Sequence, residues 1–105
     1  QSATHREVIP VRFLPAAEAE LLHEVEYYSN ARAGTGIRFQ AEVEASVERA
    51  ARHPLGGAPS PKGTRSVLVK GFPFSIVYRV SDVELLVVAV APHRQRPGYW
   101  LPRIG

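Results

Sequence analysis

Cysteine is absent from this 105-residue chain, and tryptophan occurs once. Without cysteine there is no disulfide, no zinc–thiolate site and no cysteine nucleophile, so stability rests on packing alone. No apolar run approaches the ~18 residues that a membrane span needs. The longest, Leu85 to Ala91, has the length of a strand. The four histidines are scattered and HExxH does not occur, so no metal site is expected and no cofactor is implied. No glycine-rich phosphate loop follows a strand, and Ser66, Ser75 and Ser81 lack the context of a nucleophile elbow. The glutamates cluster in helical stretches as a solvated face does, which gives no glycosidase-like carboxylate pair. Gln1 to Glu7 is polar and has no apolar h-region, so no signal peptide is expected. The expected compartment is the cytoplasm, and residues 1–6 are expected to be disordered or foreign to the domain.

What is present fits one domain spanning residues 1–105, with 45% hydrophobic and 22% charged residues. The charge is divided unevenly. Residues 1–50 hold five arginines against eight glutamates, a net −3. Residues 51–105 hold eight lysines or arginines against Asp82 and Glu84, a net +6. An acidic helical side and a basic sheet side follow from these blocks.

Val8 to Phe13 reads as a first strand with Ile9, Val11 and Phe13 on one face. Pro10 has no N–H for a ladder, so this strand is expected at an edge. Ala17, Leu21, Val25 and Tyr28 recur at helical spacing from Ala16 to about Ala33, after Pro15 in the first turn. Ala33-Gly34-Thr35-Gly36 breaks that helix. A second, Ile37 to Arg52, carries the stripe Phe39, Val43, Val47 and Ala50 and stops at Pro54. The Pro- and Gly-rich stretch Pro54 to Gly63 is expected to be a mobile loop. Three strands follow: Thr64–Lys70, Phe72–Arg79 and Leu85–Ala91. Their connections are short, so they are expected to run antiparallel as neighbours. The last is apolar on both faces, which places it inside the sheet. The expected fold is α+β, β-α-α-β-β-β, with a helical hairpin packed on one face of a small, mainly antiparallel sheet. The other face, with the C-terminal tail, is left for function.

Arg65, Lys70, Arg79, Arg94 and Arg96 accompany Tyr78, His93, Tyr99 and Trp100 in this second half. Convergent arginines bind phosphate or carboxylate bidentately. Aromatics beside them stack on bases or anchor a protein interface. A plainer role for Trp100 is to cap the sheet, and for Tyr78 to lie in the core.

The order of elements carries a resemblance. Tyr27-Tyr28, Phe39 with Glu42-Val43-Glu44, His53-Pro54, Arg65-Ser66-Val67-Leu68, Phe72-Pro73-Phe74-Ser75-Ile76-Val77-Tyr78 and Ala89-Val90-Ala91 lead into Arg94 and Arg96-Pro97-Gly98-Tyr99-Trp100. Taken together over residues 8–103, they resemble the RelE/ParE family of type II toxin–antitoxin toxins. The resemblance implies a growth-inhibiting toxin neutralised by a cognate, ParD-like antitoxin that lays an amphipathic segment along it. It implies no membrane partner and no sequence-specific DNA binding by the toxin alone.

RelE-type members cut mRNA on the ribosome, and ParE-type members act on DNA gyrase. By strand matching, the basic residues of RelE-type nucleases fall here on Ser66, Leu68 and Ser75, while Arg94 and approximately Tyr99 match. The nuclease set is therefore depleted, although Arg65, Arg79, His93, Arg94 and Tyr99 remain candidates to rebuild it. The resemblance is closer to the ParE type, with Arg94, Arg96, Tyr99, Trp100 and Arg103 expected to form the target-binding surface. A non-toxic member whose only role is to pair with its antitoxin is the third possibility.

Overall fold

The computed structural model describes residues 9–105. The expectations for residues 1–6, and Val8 of the first strand, lie outside the described residues. The elements are β1 (Val11–Phe13), α1 (Pro15–Ala31), α2 (Thr35–Arg52), β2 (Ala58–Ser60), β3 (Thr64–Leu68), β4 (Phe74–Val80) and β5 (Leu85–Pro92). They form one five-stranded sheet in the order β1-β5-β4-β3-β2. β1 runs parallel to β5, and every other neighbouring pair is antiparallel. The helical hairpin lies on one face, so the architecture is α+β as expected. No described helix is long and apolar enough to cross a membrane.

Pro15 opens α1 at a position whose N–H has no helical partner anyway, and Glu18 sits in its first turn, where the helix dipole favours an anion. α2 starts two residues earlier than its apolar stripe suggests, because Gly34 adopts φ 84° and turns the chain directly into the helix. Gly36 is buried, and a Cβ there would lie 1.9 Å from Ser29 Oγ and 2.5 Å from the Val25 carbonyl. The bare glycine lets the second helix touch the backbone of the first. Arg49 and Arg52 occupy the last turn of α2, where cations complement the dipole.

The apolar stripes of both helices meet Phe74, Ile76 and Tyr78 of β4 and Leu85, Val87 and Val90 of β5. An aromatic group closes this core near the hairpin loop. Phe39 lies 4.9 Å from Phe74 and 5.0 Å from Phe72 between ring centres, and Tyr28 lies 5.1 Å from Phe72, in mostly edge-to-face arrangements that suit the ring quadrupoles.

Two expectations are corrected here. The Pro54–Gly63 stretch is not merely a loop: Ala58 and Ser60 lie opposite Ser66 and Thr64, so it adds an edge strand. Pro59, which cannot donate, is tolerated because no strand among the described residues pairs beyond β2. The sheet face opposite the helices is not left open either. Val77, Leu86, Val88 and Ala89 form a second, smaller core there with Trp100 and Ile104 of the tail. A bulge in β5 makes this possible: Val77 pairs with Ala89 and Tyr78 with Val87, which leaves Val88 extra and puts two successive side chains on the tail side.

Candidate functional site

On the helix-free face, alternation along β4 points Ser75 and Val77 away from the main core, and Ser66 of β3 pairs opposite Val77. Ala91 of β5 lies opposite Ser75. These side chains are small, so the sheet floor stays low while the segment after β5 rises beside it. The result is a groove of about 470 Å³ between that floor and residues of the segment His93 to Leu101, with Ser60 and Pro61 completing the lining. Apolar atoms dominate the lining, which contains His93 and Arg96 and no carboxylate. Ser75 Oγ lies 2.9 Å from His93 Nε2. His93 and Arg96 are both exposed, so the groove has a cationic rim.

The tail that forms the wall is held from behind by α1. Glu20 accepts hydrogen bonds from Tyr99 Oη at 2.5 Å, from Arg103 Nη1 and Nη2 at 2.9 and 2.8 Å, and from the Val90 amide at 3.0 Å. Burial first, and then the hydrogen bond to Glu20, push the Tyr99 phenol well above its usual range. The same carboxylate holds the Arg103 guanidinium protonated above its ordinary value. Glu24, one turn further along α1, is buried, and the exposed Arg94 leans toward it with Nη2 at 3.7 Å.

The structure therefore divides the expected target-binding surface. Arg94 and Arg96 are displayed on the turn after β5. Tyr99, Trp100 and Arg103 turn inward: Trp100 is only 5% exposed against the second core, and the polar ends of the other two are occupied by Glu20. The glutamates were expected on a solvated face. Glu20 and Glu24 depart from it because their row on α1 faces β5, where Glu20 accepts from the Val90 amide.

The candidate nuclease residues are not gathered. Arg65 points to the helix side beside Tyr78, where its Nη1 donates to the Leu55 and Gly57 carbonyls. Arg79 lies exposed on the groove side of β4, opposite Leu86, away from the groove lining. His93 and Tyr99 line the groove, while Arg94 lies outside it. Among the described residues no three His, Asp or Glu side chains form a metal-binding group.

Sequence reasoning missed the Ser75–His93 pair and the inward glutamates. Residues 20, 24 and 28 form one i, i+4 row that ends in the apolar-stripe residue Tyr28, and this was the available signal.

No curated protein sequence matches the chain. Among solved structures it is similar to a chain described as "Chromosomal ParDE TA system from P. aeruginosa", with a TM-score of 0.67 and 19% identity over 81% of this chain and 96% of that one. At that identity the likeness concerns the fold. A family model described as the ParE toxin of the type II toxin–antitoxin system parDE matches residues 11–97. That match takes in both helices, the whole sheet and the arginine turn, and the chain belongs to the ParE toxin family of type II toxin–antitoxin systems.

Proposed function

We propose that this protein is a cytoplasmic growth-inhibiting toxin, kept inactive by a cognate ParD-like antitoxin, and that the free toxin poisons a protein target, DNA gyrase foremost. The observation that carries this reading is the groove on the helix-free face, with its apolar lining and its rim of His93 and Arg96. An apolar cleft with cations at its edge suits a protein surface bearing apolar anchors and carboxylates. Exposed Arg94 extends the positive rim on the other side of the same turn. The exposed apolar side chains Leu22, Tyr27 and Ile37 of the helical layer support an antitoxin segment docking along the hairpin.

Cutting RNA needs a general base, a general acid and cations to offset phosphate charge, each charge-stabilising group contributing roughly 3 kcal/mol. With Arg65 bonded to backbone carbonyls on the far face and Tyr99 donating to Glu20, little of that set meets in one place. The Ser75–His93 pair is the one observation favouring a ribosome-dependent nuclease instead.

One experiment separates the two. The protein is expressed without antitoxin, and plasmid supercoiling and transcript integrity are followed in the same culture. The proposal expects altered supercoiling or gyrase-dependent breaks before any codon-phased mRNA cuts. Early phased cuts with normal supercoiling would establish the nuclease. Unimpaired growth would identify a member that only pairs with its antitoxin.

A further inference from the structure

β5 has an edge that β1 covers only in part. Among the described residues, the last backbone hydrogen bond on this edge runs from the Leu14 amide to the Val87 carbonyl. Beyond it, side chains take the place of a strand: Arg103 Nη1 donates to the Val88 carbonyl at 3.0 Å, and Glu20 accepts from the Val90 amide. One carboxylate thus receives four hydrogen bonds, from β5, Tyr99 and Arg103, and the Arg103 guanidinium also lies 5.2 Å from the centre of the Tyr99 ring. Charge-assisted and bidentate bonds of this kind are short and directional, so they fix position as well as contribute energy.

Glu24 continues the same row. Its side chain is 8% exposed, and among the described residues its ion-pair partner is Arg94, whose side chain is 71% exposed. At 3.7 Å and without a hydrogen bond the pair is a weak one, but it biases the average direction of a long side chain that otherwise samples many rotamers.

We infer that Glu20 and Glu24 are positioning residues for the target surface: together they decide where the segment from His93 to Arg103 sits, and hence the wall of the groove and the direction of Arg94. This rests on the reading of that segment given above. The main core contains neither Tyr99 nor Trp100, so loosening this attachment leaves the helices and the sheet packed. The second core depends on it, because Trp100 and Ile104 flank Arg103 in the chain.

Trp100 is the only tryptophan and reports on its own position. In Glu20→Gln the geometry predicts a red-shifted emission and greater quenching by acrylamide, with far-UV circular dichroism retained and growth inhibition weakened roughly tenfold in inducer dose. In Glu24→Gln it predicts unchanged Trp100 emission with growth inhibition reduced, since only Arg94 is released. Native Trp100 emission in Glu20→Gln would overturn the inference. Released Trp100 with undiminished growth arrest would instead overturn the placement of the target surface. Should Glu20→Gln fail to fold, Tyr99→Phe removes one donor of the four. A partial red shift is then expected, and none would count against the attachment.

Discussion

The Tyr78 hydroxyl donates to the Pro54 carbonyl at 2.7 Å and accepts from the Gly57 amide at 3.2 Å. A fully buried ring on the sheet's middle strand thereby fixes both ends of the connection that leaves α2. Gly57 is required for this approach, because a Cβ there would come within 2.5 Å of the same hydroxyl. Tyr78→Phe keeps the ring and leaves two backbone groups without their partner. Its expected cost is about 1–3 kcal/mol in urea unfolding, with growth inhibition retained. A cost near zero would mean that water replaces the hydroxyl.

Gly36→Ala addresses the helical hairpin. The added methyl meets the Val25 carbonyl as well as the flexible Ser29 side chain, so truncating Ser29 cannot relieve the clash. A destabilisation of about 1–3 kcal/mol is expected, and it should persist in a Gly36→Ala, Ser29→Ala double variant. Thermal unfolding of the three proteins checks this.

Tyr99 gives a pH dependence whose sign is fixed. Its phenol is raised in the folded state by burial and by Glu20, whereas in the unfolded chain it ionises near pH ~10. The stabilisation is fully present below that value and is lost as pH rises above it toward the folded-state value. Denaturant midpoints measured from about pH 9 upward should therefore fall more steeply for the native chain than for Tyr99→Phe. Parallel curves would show that the hydroxyl has no differential environment. Tyr28 and Tyr78 are also raised by burial, and they contribute equally to both proteins.

The exposed Arg12–Glu84 pair, with Nη2 to Oε2 at 2.7 Å, bridges the two strands β1 and β5 near their start. Hydrogen bonding to Arg12 holds the Glu84 carboxyl below its ordinary value, so any stabilisation from the pair is present above the usual carboxylate range and lost as pH falls through it. Because the pair is solvated, Arg12→Ala is expected to leave stability almost unchanged. Acid titration of both proteins by circular dichroism compares them.

Much of this was legible from residue order. The stripes Ala17–Leu21–Val25–Tyr28 and Phe39–Val43–Val47–Ala50 mark both helices because a helix buried on one side must repeat its apolar residues at that spacing. The alternation of Phe74, Ile76 and Tyr78 against Ser75, Val77 and Arg79 likewise marks a strand with two different faces. β2 was not legible, since Ala58-Pro59-Ser60 has no pattern of its own and becomes a strand only by pairing with β3. The groove was half legible. The cations of the tail stand together in the chain, but that Arg103 turns inward while Arg94 and Arg96 stay exposed depends on Glu20, far away in the chain.

The most direct measurement is gyrase-catalysed supercoiling of relaxed plasmid in the presence of the purified chain, compared with Arg96→Glu, His93→Ala and, as a distant control, Lys70→Ala. The groove-rim account predicts inhibition or trapped strand breaks with the native chain and Lys70→Ala, and their loss in the other two variants while folding is retained. Full supercoiling with the native chain, or inhibition that survives Arg96→Glu undiminished, would contradict it.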